Sequence, residues 1–369
     1  MLKNKKNTKN RYIGLMSGTS LDGIDVALCE IDEGGCKLIV YEEYKLPFEI
    51  KEATLDIIHN STTIAKVGEL DCLIAEAYAE AVNLFLEKHH IDRDKIVAIG
   101  SHGQTVWHQP NSKIPFSMQL GNPSLLAVRT GIDVVADFRS KDVAVGGQGA
   151  PFAPAFHNEL FSHLDGCAVV NIGGMANITV FDPTIIGYDS GCGNVLMDMW
   201  ISECRDIGYD KDGKWASLGK VNHVLLNNML EDDYFILNYP KSTGREYFNK
   251  SFLRKYLAPL DKISEEDIQA TLLALTVASI ANEIKRFDIE ILLVCGGGAK
   301  NLYLMQKLQE SLPLVNVAIT DDYGIGADEM EAMLFAWFAY KRLRYEKIEL
   351  KTVTGATKNT ILGGIYATD

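Results

Sequence analysis

The stretch RYIGLMSGTSLDGIDVALCEI, residues 11–31, holds two apolar segments on either side of a turn rich in glycine and small polar residues. We predict β-strands at 11–17 and 24–31, because short apolar runs bounded by turn residues are typical of strands. CAVVNIGGMANITVF at 167–181 repeats this strand–turn–strand layout. The repetition predicts two domains of related α/β design.

Strand-like and helix-like segments alternate through the rest of the chain, as in an α/β fold. Further strands are predicted at 37–45, 96–105, 134–138 and 290–298. Helices are predicted at 65–90, 121–130, 152–163, 193–206, 216–229, 265–286, 300–311 and 327–344. Residues 1–10 are predicted to be a flexible tail. The glycine-rich stretch SKDVAVGGQGAP, residues 140–151, is predicted to be an interior linker.

The composition disfavours several classes of protein. Hydrophobic residues make up 47% of the 369 residues, which is enough for large cores. The net charge of −13 repels nucleic-acid phosphates and anionic membranes, so neither is an expected partner. Seven scattered cysteines without a C-x-x-C pair favour a reducing, cytoplasmic location. No stretch has the length of a membrane span, and the basic start lacks the apolar core of a signal peptide.

The turn GTSLDG at residues 18–23 is a candidate phosphate site. Glycine lets backbone N–H groups approach an anion, and the hydroxyls of Thr19 and Ser20 add donors. An ordinary hairpin turn uses the same residue types and stays open as the alternative. Glycines also follow strands at 171–179 and 295–298, where nucleotide sites form in α/β proteins. Because the P-loop and G-x-G-x-x-G patterns are absent, we expect neither a P-loop nor a dinucleotide fold.

Asp189 lies in GYDSGCGNVLMD, residues 187–198, on a predicted glycine-rich loop between a strand and a helix. A carboxylate there can act as a general base toward a bound ligand. The structural alternative is that Asp189 or Ser190 caps the following helix. Cys192 stands near the N-terminus of that helix, but no histidine is close in sequence, so we do not expect a nucleophile.

The segment SHGQTVWHQP, residues 101–110, is predicted to be a loop that combines polar and aromatic side chains. His102, Gln104 and Trp107 suit sugar recognition, and a solvated loop is the alternative. The histidines His102 and His108 are six residues apart, which is not the spacing of a helical metal pair. We therefore expect no metal site there.

Two further charged positions are ambiguous by themselves. Arg139, two residues after Asp137, could pair with a substrate carboxylate or form a surface salt bridge. Glu331 lies in the first turns of a predicted helix, where the helix dipole favours an acid without any catalytic role.

These motifs, in this order, closely resemble the anhydro-N-acetylmuramic acid kinase family. The resemblance covers the chain beyond its N-terminal tail. The motifs that carry it are GTSLDGID (18–25), SHGQTVWHQP (101–110), ADFR (136–139), GGQGAP (146–151), NIGGMANIT (171–179), DSGCGN (189–194), DKDGKWAS (210–217), PKSTGREYF (240–248), CGGGAKN (295–301), EAMLFAWFA (331–339) and VTGAT (353–357). The loop DSGCGN departs from the family's usual D-T-G-P-G-N, and Cys192 in place of proline leaves φ less constrained.

The resemblance implies a fold of two ribonuclease-H-like, actin-like ATPase domains that face a central nucleotide cleft. The first domain would span 11–163, with 345–369 as a segment that could join it. The second domain would span 164–344.

The resemblance also implies roles for individual residues. Asp189 and Glu331 would be the catalytic residues, with Asp189 as the general base and Glu331 as an acidic residue near the sugar. The nucleotide would bind to Gly18, Thr19, Ser20, Leu21, Asp22, Gly23, Ile24, Asp25, Gly173, Gly174, Gly296 and Gly297. The sugar would contact His102, Gln104, Asp137 and Arg139. The expected cofactors are ATP and Mg²⁺, with Asp22 or Asp25 holding the ion through water.

The implied reaction converts 1,6-anhydro-N-acetylmuramic acid, ATP and water into N-acetylmuramic acid 6-phosphate and ADP, in peptidoglycan recycling. The expected partner is thus a small-molecule sugar, and a homodimer stays open. Two alternatives are a kinase for a related anhydro sugar such as levoglucosan and a non-catalytic actin-like nucleotide-binding module.

Overall fold

The computed structural model describes residues 10–18, 21–181 and 184–368, apart from the side chains of residues 327 and 328. Its strands are β1 (Arg11–Met16), β2 (Gly23–Asp32), β3 (Gly35–Lys45), β4 (Ile96–Ser101), β5 (Gln104–Gln109), β6 (Phe116–Leu120), β7 (Val134–Ala136), β8 (Cys167–Ile172), β9 (Met175–Val180), β10 (Ile186–Cys192), β11 (Ile291–Cys295), β12 (Asn316–Ile319) and β13 (Gly364–Tyr366). Its α-helices are α1 (Phe48–His59), α2 (Ile64–Lys88), α3 (Pro123–Thr130), α4 (Phe138–Ala144), α5 (Ala153–Phe161), α6 (Val195–Arg205), α7 (His223–Leu230), α8 (Asp233–Ile236), α9 (Lys250–Leu257), α10 (Glu265–Ile284), α11 (Leu302–Ser311), α12 (Ala327–Leu343) and α13 (Lys351–Thr354).

The chain divides into two compact units. Unit 1 combines Met1–Leu160 with Asp328–Asp369, and unit 2 is Phe161–Ala327. Within the described residues, no helix is long and apolar enough to cross a membrane.

The main sheet of unit 1 has the strand order β13-β7-β4-β1-β2-β3. β1, β2 and β3 run antiparallel to one another in sequence order, and β4 and β7 continue the sheet parallel to β1. One face of this sheet packs on α2. The buried residues of α2 recur at helical spacing, as in Leu70, Ile74, Tyr78, Val82 and Phe85.

The sheet of unit 2 repeats this order as β10-β9-β8-β11-β12. β8, β9 and β10 are again antiparallel, and β11 and β12 are parallel to β8. The largest helix against it is α10, which is apolar around most of its circumference and is buried accordingly. The order 3-2-1-4-5 with an antiparallel strand 2 is the ribonuclease-H-like topology, so the chain contains two ribonuclease-H-like units.

Helix α12 belongs to unit 1, although the sequence analysis assigned it to the second domain. The physical reason is a close approach of its backbone to β1 and β4. A Cβ atom on Gly14 would lie 1.7 Å from the carbonyl oxygen of Ala332, and one on Gly100 would lie 1.8 Å from that of Phe335. Only glycine at both strand positions lets the helix lie this close to the sheet.

Three local predictions were wrong. Residues 101–110 are not a loop, because Gln104–Gln109 forms β5 in a hairpin with β6. Helix 216–229 is instead a short 3₁₀ turn at Ala216–Leu218 followed by α7. The predicted linker 140–151 lies inside unit 1 and begins within α4.

The predicted linker folds back on itself around a buried carboxylate. Asp142 accepts hydrogen bonds from the Gly149 backbone N–H at 2.7 Å and from the Thr354 hydroxyl at 2.9 Å. The segment is thereby tied to the C-terminal part of unit 1. The glycine-rich composition of 140–151 therefore does not make this segment a linker between domains.

Replacing Gly100 with alanine should destabilise unit 1, since its Cβ would overlap the Phe335 backbone. Overpacking costs about 1–3 kcal/mol, and we expect at least the upper value because the obstacle is backbone. Gly68→Ala is the matched control, because Gly68 is exposed in α2 with open space around it. That change should stabilise the protein by about 0.4–1 kcal/mol. Urea unfolding measures both, and equal midpoints for the two variants would contradict the packing argument.

Candidate functional site

Asp189 lies within strand β10 and not on the predicted loop. Its backbone N–H donates to the Lys241 carbonyl oxygen at 3.0 Å, and its own carbonyl accepts from the Tyr234 hydroxyl at 2.8 Å. The pairing of β10 with β9 shifts register between Asp189 and Gly191. Gly191 has a φ of 158°, and a Cβ there would lie 2.6 Å from the Phe235 ring. The bulge therefore requires glycine just after the candidate base.

The Asp189 carboxylate is buried and surrounded by hydrogen-bond donors. It accepts from the Thr243 backbone N–H at 2.8 Å, from the Ser242 hydroxyl at 3.2 Å and from the Asn177 side-chain amide. Burial raises the pKa of Asp189 above its usual range, and these three hydrogen bonds oppose that rise. The helix-cap alternative is wrong, because the carboxylate binds these donors and α6 has Asn194 at its N-cap.

The two predicted glycine turns of unit 2 lie together at one edge of its sheet, where strands β8 and β11 end. β8 and β11 are parallel with Asn171 opposite Cys295, so Gly173–Gly174 and Gly296–Gly297 follow neighbouring strand ends. The Asn194 backbone N–H donates to the Gly173 carbonyl at 2.8 Å and fixes the start of α6 against this turn. The structure therefore brings all four predicted glycines together at one edge.

A recess of about 560 Å³ opens beside these glycines. It is lined by Asn194, Met197, Asp198, Gly208, Tyr209, Asp210, Lys211, Asp212, Gly297, Lys300 and Asn301. Its volume is that of an ordinary small-ligand site. Of these residues, Gly297 was predicted from the sequence to bind the nucleotide, whereas the others had no predicted role, although the motifs 210–217 and 295–301 contain several of them.

Two charged residues, Asp198 and Arg245, lie near the Gly173–Gly174 turn of unit 2. Burial raises the pKa of Asp198 to about 6, Arg245 opposes that rise and Asp210 adds to it. The Arg245 guanidinium is about 4 Å from the Cβ position of Gly174. Sequence reasoning assigned a role to neither Asp198 nor Arg245, and the motif PKSTGREYF was the signal that pointed to the latter.

In unit 1, the structure describes Gly18 and residues 21–25 of the predicted phosphate turn. Thr19 and Ser20, the other two predicted residues, lie outside the described residues. The side chains of Leu21 and Ile24 are buried in the core, so only their backbone is available to a ligand. Asp22 is exposed and pairs with Lys51 at 3.1 Å, and Asp25 accepts from the Tyr41 hydroxyl at 2.5 Å.

His102 and Arg139 form a fixed pair in unit 1. The Arg139 Nε and Nη2 atoms lie 3.1 and 2.9 Å from His102 Nε2, and Arg139 Nη1 donates to the Gly149 carbonyl at 2.7 Å. The His102 ring stacks on Phe335 with centroids 4.6 Å apart. Burial and the Arg139 charge lower the pKa of His102 well below its usual range. His102 is therefore a neutral acceptor that holds the cation.

Arg139 also interacts electrostatically with Glu331, an exposed residue in the first turns of α12. Burial lowers the pKa of Arg139 to about 10, and Glu331 opposes this, so the guanidinium stays protonated at neutral pH. Partial removal from water and the nearby Asp25 raise the pKa of Glu331, while Arg139 lowers it. Arg139, Glu331 and Asp25 thus form one electrostatic group.

Two predicted sugar contacts lie in other surroundings. The side-chain oxygen of the buried Gln104 accepts from the Ser17 hydroxyl at 2.5 Å, inside a network that includes Tyr78. Asp137 has a φ of 59° and lines a recess together with Lys141, Arg342, Lys358 and others.

Cys192 is fully buried behind the candidate base. Burial raises the pKa of its thiol to about 12, so no thiolate forms at neutral pH. The hydroxyl of Thr276 donates to the backbone carbonyls of Cys192 and Gly193 at 3.2 and 2.7 Å. Within the described part of the chain, no cluster of three or more His, Cys, Asp or Glu residues could hold a metal ion.

The fold is thus a repeated ribonuclease-H-like unit, and each unit carries glycine residues after its first strand. The family model described as "Anhydro-N-acetylmuramic acid kinase" matches residues 10–368. A protein of that name from Sulfurovum sp. (strain NBC37-1) is 55% identical over 360 residues, which cover 97% of this chain and 99% of the relative. One from Sulfurimonas denitrificans is 52% identical over 363 residues, covering 96% and 99%. The chain belongs to the anhydro-N-acetylmuramic acid kinase family, and it is therefore an enzyme, a kinase.

Alkylation should distinguish Cys192 from an exposed thiol. Iodoacetamide at about pH 8 should label Cys72, which is exposed, while Cys192 stays unlabelled because it is both buried and protonated. Peptide mass spectrometry over time measures both. In the urea-unfolded chain both cysteines should react, which is the control. Labelling of native Cys192 at the rate of Cys72 would show that the thiol is accessible and ionised.

Proposed function

We propose that this kinase opens 1,6-anhydro-N-acetylmuramic acid with water and transfers the ATP γ-phosphoryl group to O6, with Asp189 as the base. The products are N-acetylmuramic acid 6-phosphate and ADP, which places the enzyme in peptidoglycan recycling. The observation that carries the assignment of the base is the buried Asp189 carboxylate, held by the three donors from Asn177, Ser242 and Thr243.

The substrate sets a specific chemical problem, since O6 is bonded to C1 and there is no free 6-hydroxyl. Asp189 accepts a proton from water as the water oxygen attacks C1 and the C1–O6 bond breaks. O6 then attacks the γ-phosphorus and ADP leaves. A base for this step must be ionised, and the donors around Asp189 favour that form.

The nucleotide would bind at the glycine turns in each unit, where backbone N–H groups can approach phosphates. In unit 2, the recess of about 560 Å³ beside Gly297 has the size for the nucleoside. Arg245, near Gly174, supplies a positive charge for the phosphates. Asp22 or Asp25 would hold Mg²⁺ through water, since carboxylates suit this ion, and the ion would neutralise phosphate charge.

Arg139 suits recognition of a substrate carboxylate, which the muramic sugar carries on its lactyl group and levoglucosan lacks. Its guanidinium is charged, and the contacts to neutral His102 and the Gly149 carbonyl orient it. An oriented arginine binds carboxylates with directional hydrogen bonds. This feature favours the muramic sugar over simpler anhydro sugars. Glu331, with its raised pKa, would act close to the sugar as the second acid.

Asp189→Asn keeps the side-chain size but removes the proton acceptor. Loss of a general base costs about 10²–10⁴-fold in rate, and we expect a kcat reduction near the upper end because the same step breaks the C1–O6 bond. ATP affinity, measured by calorimetry, should be retained. Asp165→Asn, at an exposed residue of the same unit, is the control and should keep wild-type kcat. Turnover of Asp189→Asn within a few-fold of wild type would reject the assignment.

Isotope labelling tests which atom the water attacks. In ¹⁸O-water the proposed route places the label on the C1 hydroxyl of the product and leaves the 6-phosphate unlabelled. Mass spectrometry of the product and of its released phosphate measures this distribution. The control is the product incubated in ¹⁸O-water without turnover, which corrects for exchange at C1. Label in free phosphate, released at the same rate as ADP, would mean that water attacks phosphorus, and Asp189 would not be the base acting at C1.

A further inference from the structure

A buried ion pair lies behind Asp189, and the mechanism above does not use it. Lys241 Nζ is 2.7 Å from Glu283 Oε1, and the two side chains are only 2% and 7% exposed. Glu283, on α10, also accepts from the Tyr188 hydroxyl at 3.0 Å and from Arg286 at 2.7 Å. Burying charges costs desolvation energy that their attraction often fails to recover. Stability alone is therefore a weak reason for this pair.

The pair is connected to Asp189 from two directions. Tyr188, which binds Glu283, directly precedes Asp189 in β10. Lys241 accepts the Asp189 backbone N–H through its own carbonyl, and the next two residues, Ser242 and Thr243, donate to the Asp189 carboxylate. Glu283 thus anchors both the strand that carries the base and the segment that supplies two of its three donors.

We propose that the Lys241–Glu283 pair is a positioning device that fixes segment 241–243 against β10, so that Ser242 and Thr243 keep their hydrogen bonds to Asp189. This inference rests on the proposed role of Asp189 as the base. Lys241 and Glu283 are positioning residues, since they act on the reaction only through Asp189.

The charged and titratable groups around the device define its expected pH behaviour. Glu246, three residues beyond segment 241–243, raises the pKa of Asp189. Tyr234 of α8 donates to the Asp189 carbonyl, and its ring lies under Lys241 Nζ. On the α10 side, Arg286 and Tyr188 face Glu283. Hydrogen bonds to a carboxylate lower its pKa, so weakening those from Ser242 and Thr243 raises the pKa of Asp189. The base is then protonated, and kcat falls, at a higher pH than in the wild type.

Lys241→Met is the informative variant, because Glu283 keeps Arg286 and Tyr188 as partners and no buried charge is left alone. We expect the acid limb of the kcat–pH profile to move up by about one pH unit and the KM for the sugar to change less than about twofold. Lys241→Arg keeps the cation and should restore most of the wild-type profile. Arg286→Met removes a donor to the same carboxylate without touching segment 241–243, so its profile should match the wild type.

Infrared difference titration reads the carboxyl directly. The pKa of Asp189, isolated by subtracting the Asp189→Asn spectrum in each background, should rise in Lys241→Met and not in Arg286→Met. A lower melting temperature for Lys241→Met with an unchanged Asp189 pKa would overturn the inference and leave the pair a purely structural role. If the carboxyl pKa rises but the kcat profile does not follow, the positioning stands and the assignment of Asp189 as the base fails.

Discussion

A carboxylate removed from water must find hydrogen-bond donors within the protein, and much of unit 2 follows from meeting this requirement at Asp189. No single element supplies the donors. Asn177 comes from the neighbouring strand β9, whereas Ser242 and Thr243 come from an irregular segment more than fifty residues further along. The pairing of β10 with β9 shifts register just after Asp189. The fold therefore places a reactive group next to an irregularity in a strand and surrounds it with donors from the neighbouring strand and from an irregular segment.

Unit 1 uses its charges differently. There the cation Arg139 is oriented by a neutral histidine and a backbone carbonyl, neither of which cancels its charge. The burial of His102 and its stacking on Phe335 keep the ring uncharged, which is the form that can accept from a guanidinium. These two contacts thus orient Arg139 without neutralising its charge, on which the Glu331 carboxylate also acts. The same topology consequently supports an oriented anion in one unit and an oriented cation in the other.

The sequence predicted what depends on local pattern. The glycine-flanked hairpins and the long helices α2 and α10 are confirmed within two residues at most ends, because apolar periodicity over many residues is a strong signal. Features that depend on distant partners were not predictable. Segment 140–151 is held by the hydrogen bond from Thr354 to Asp142. Helix α12 packs in unit 1 because two glycines, in strands far from it in sequence, leave room for its backbone.

The composition of unit 1 from two separate parts of the chain has a consequence for its synthesis. The ribosome completes every residue of unit 2, Phe161–Ala327, before it makes the helix that lies on Gly14 and Gly100 or the strand that pairs with β7. Domains generally fold as units during translation. Until α12 and β13 have been synthesised, the sheet of unit 1 has one face uncovered and one edge unpaired, whereas unit 2 can already be folded. Unit 2 can therefore complete its fold before unit 1, although unit 1 comes first in the sequence.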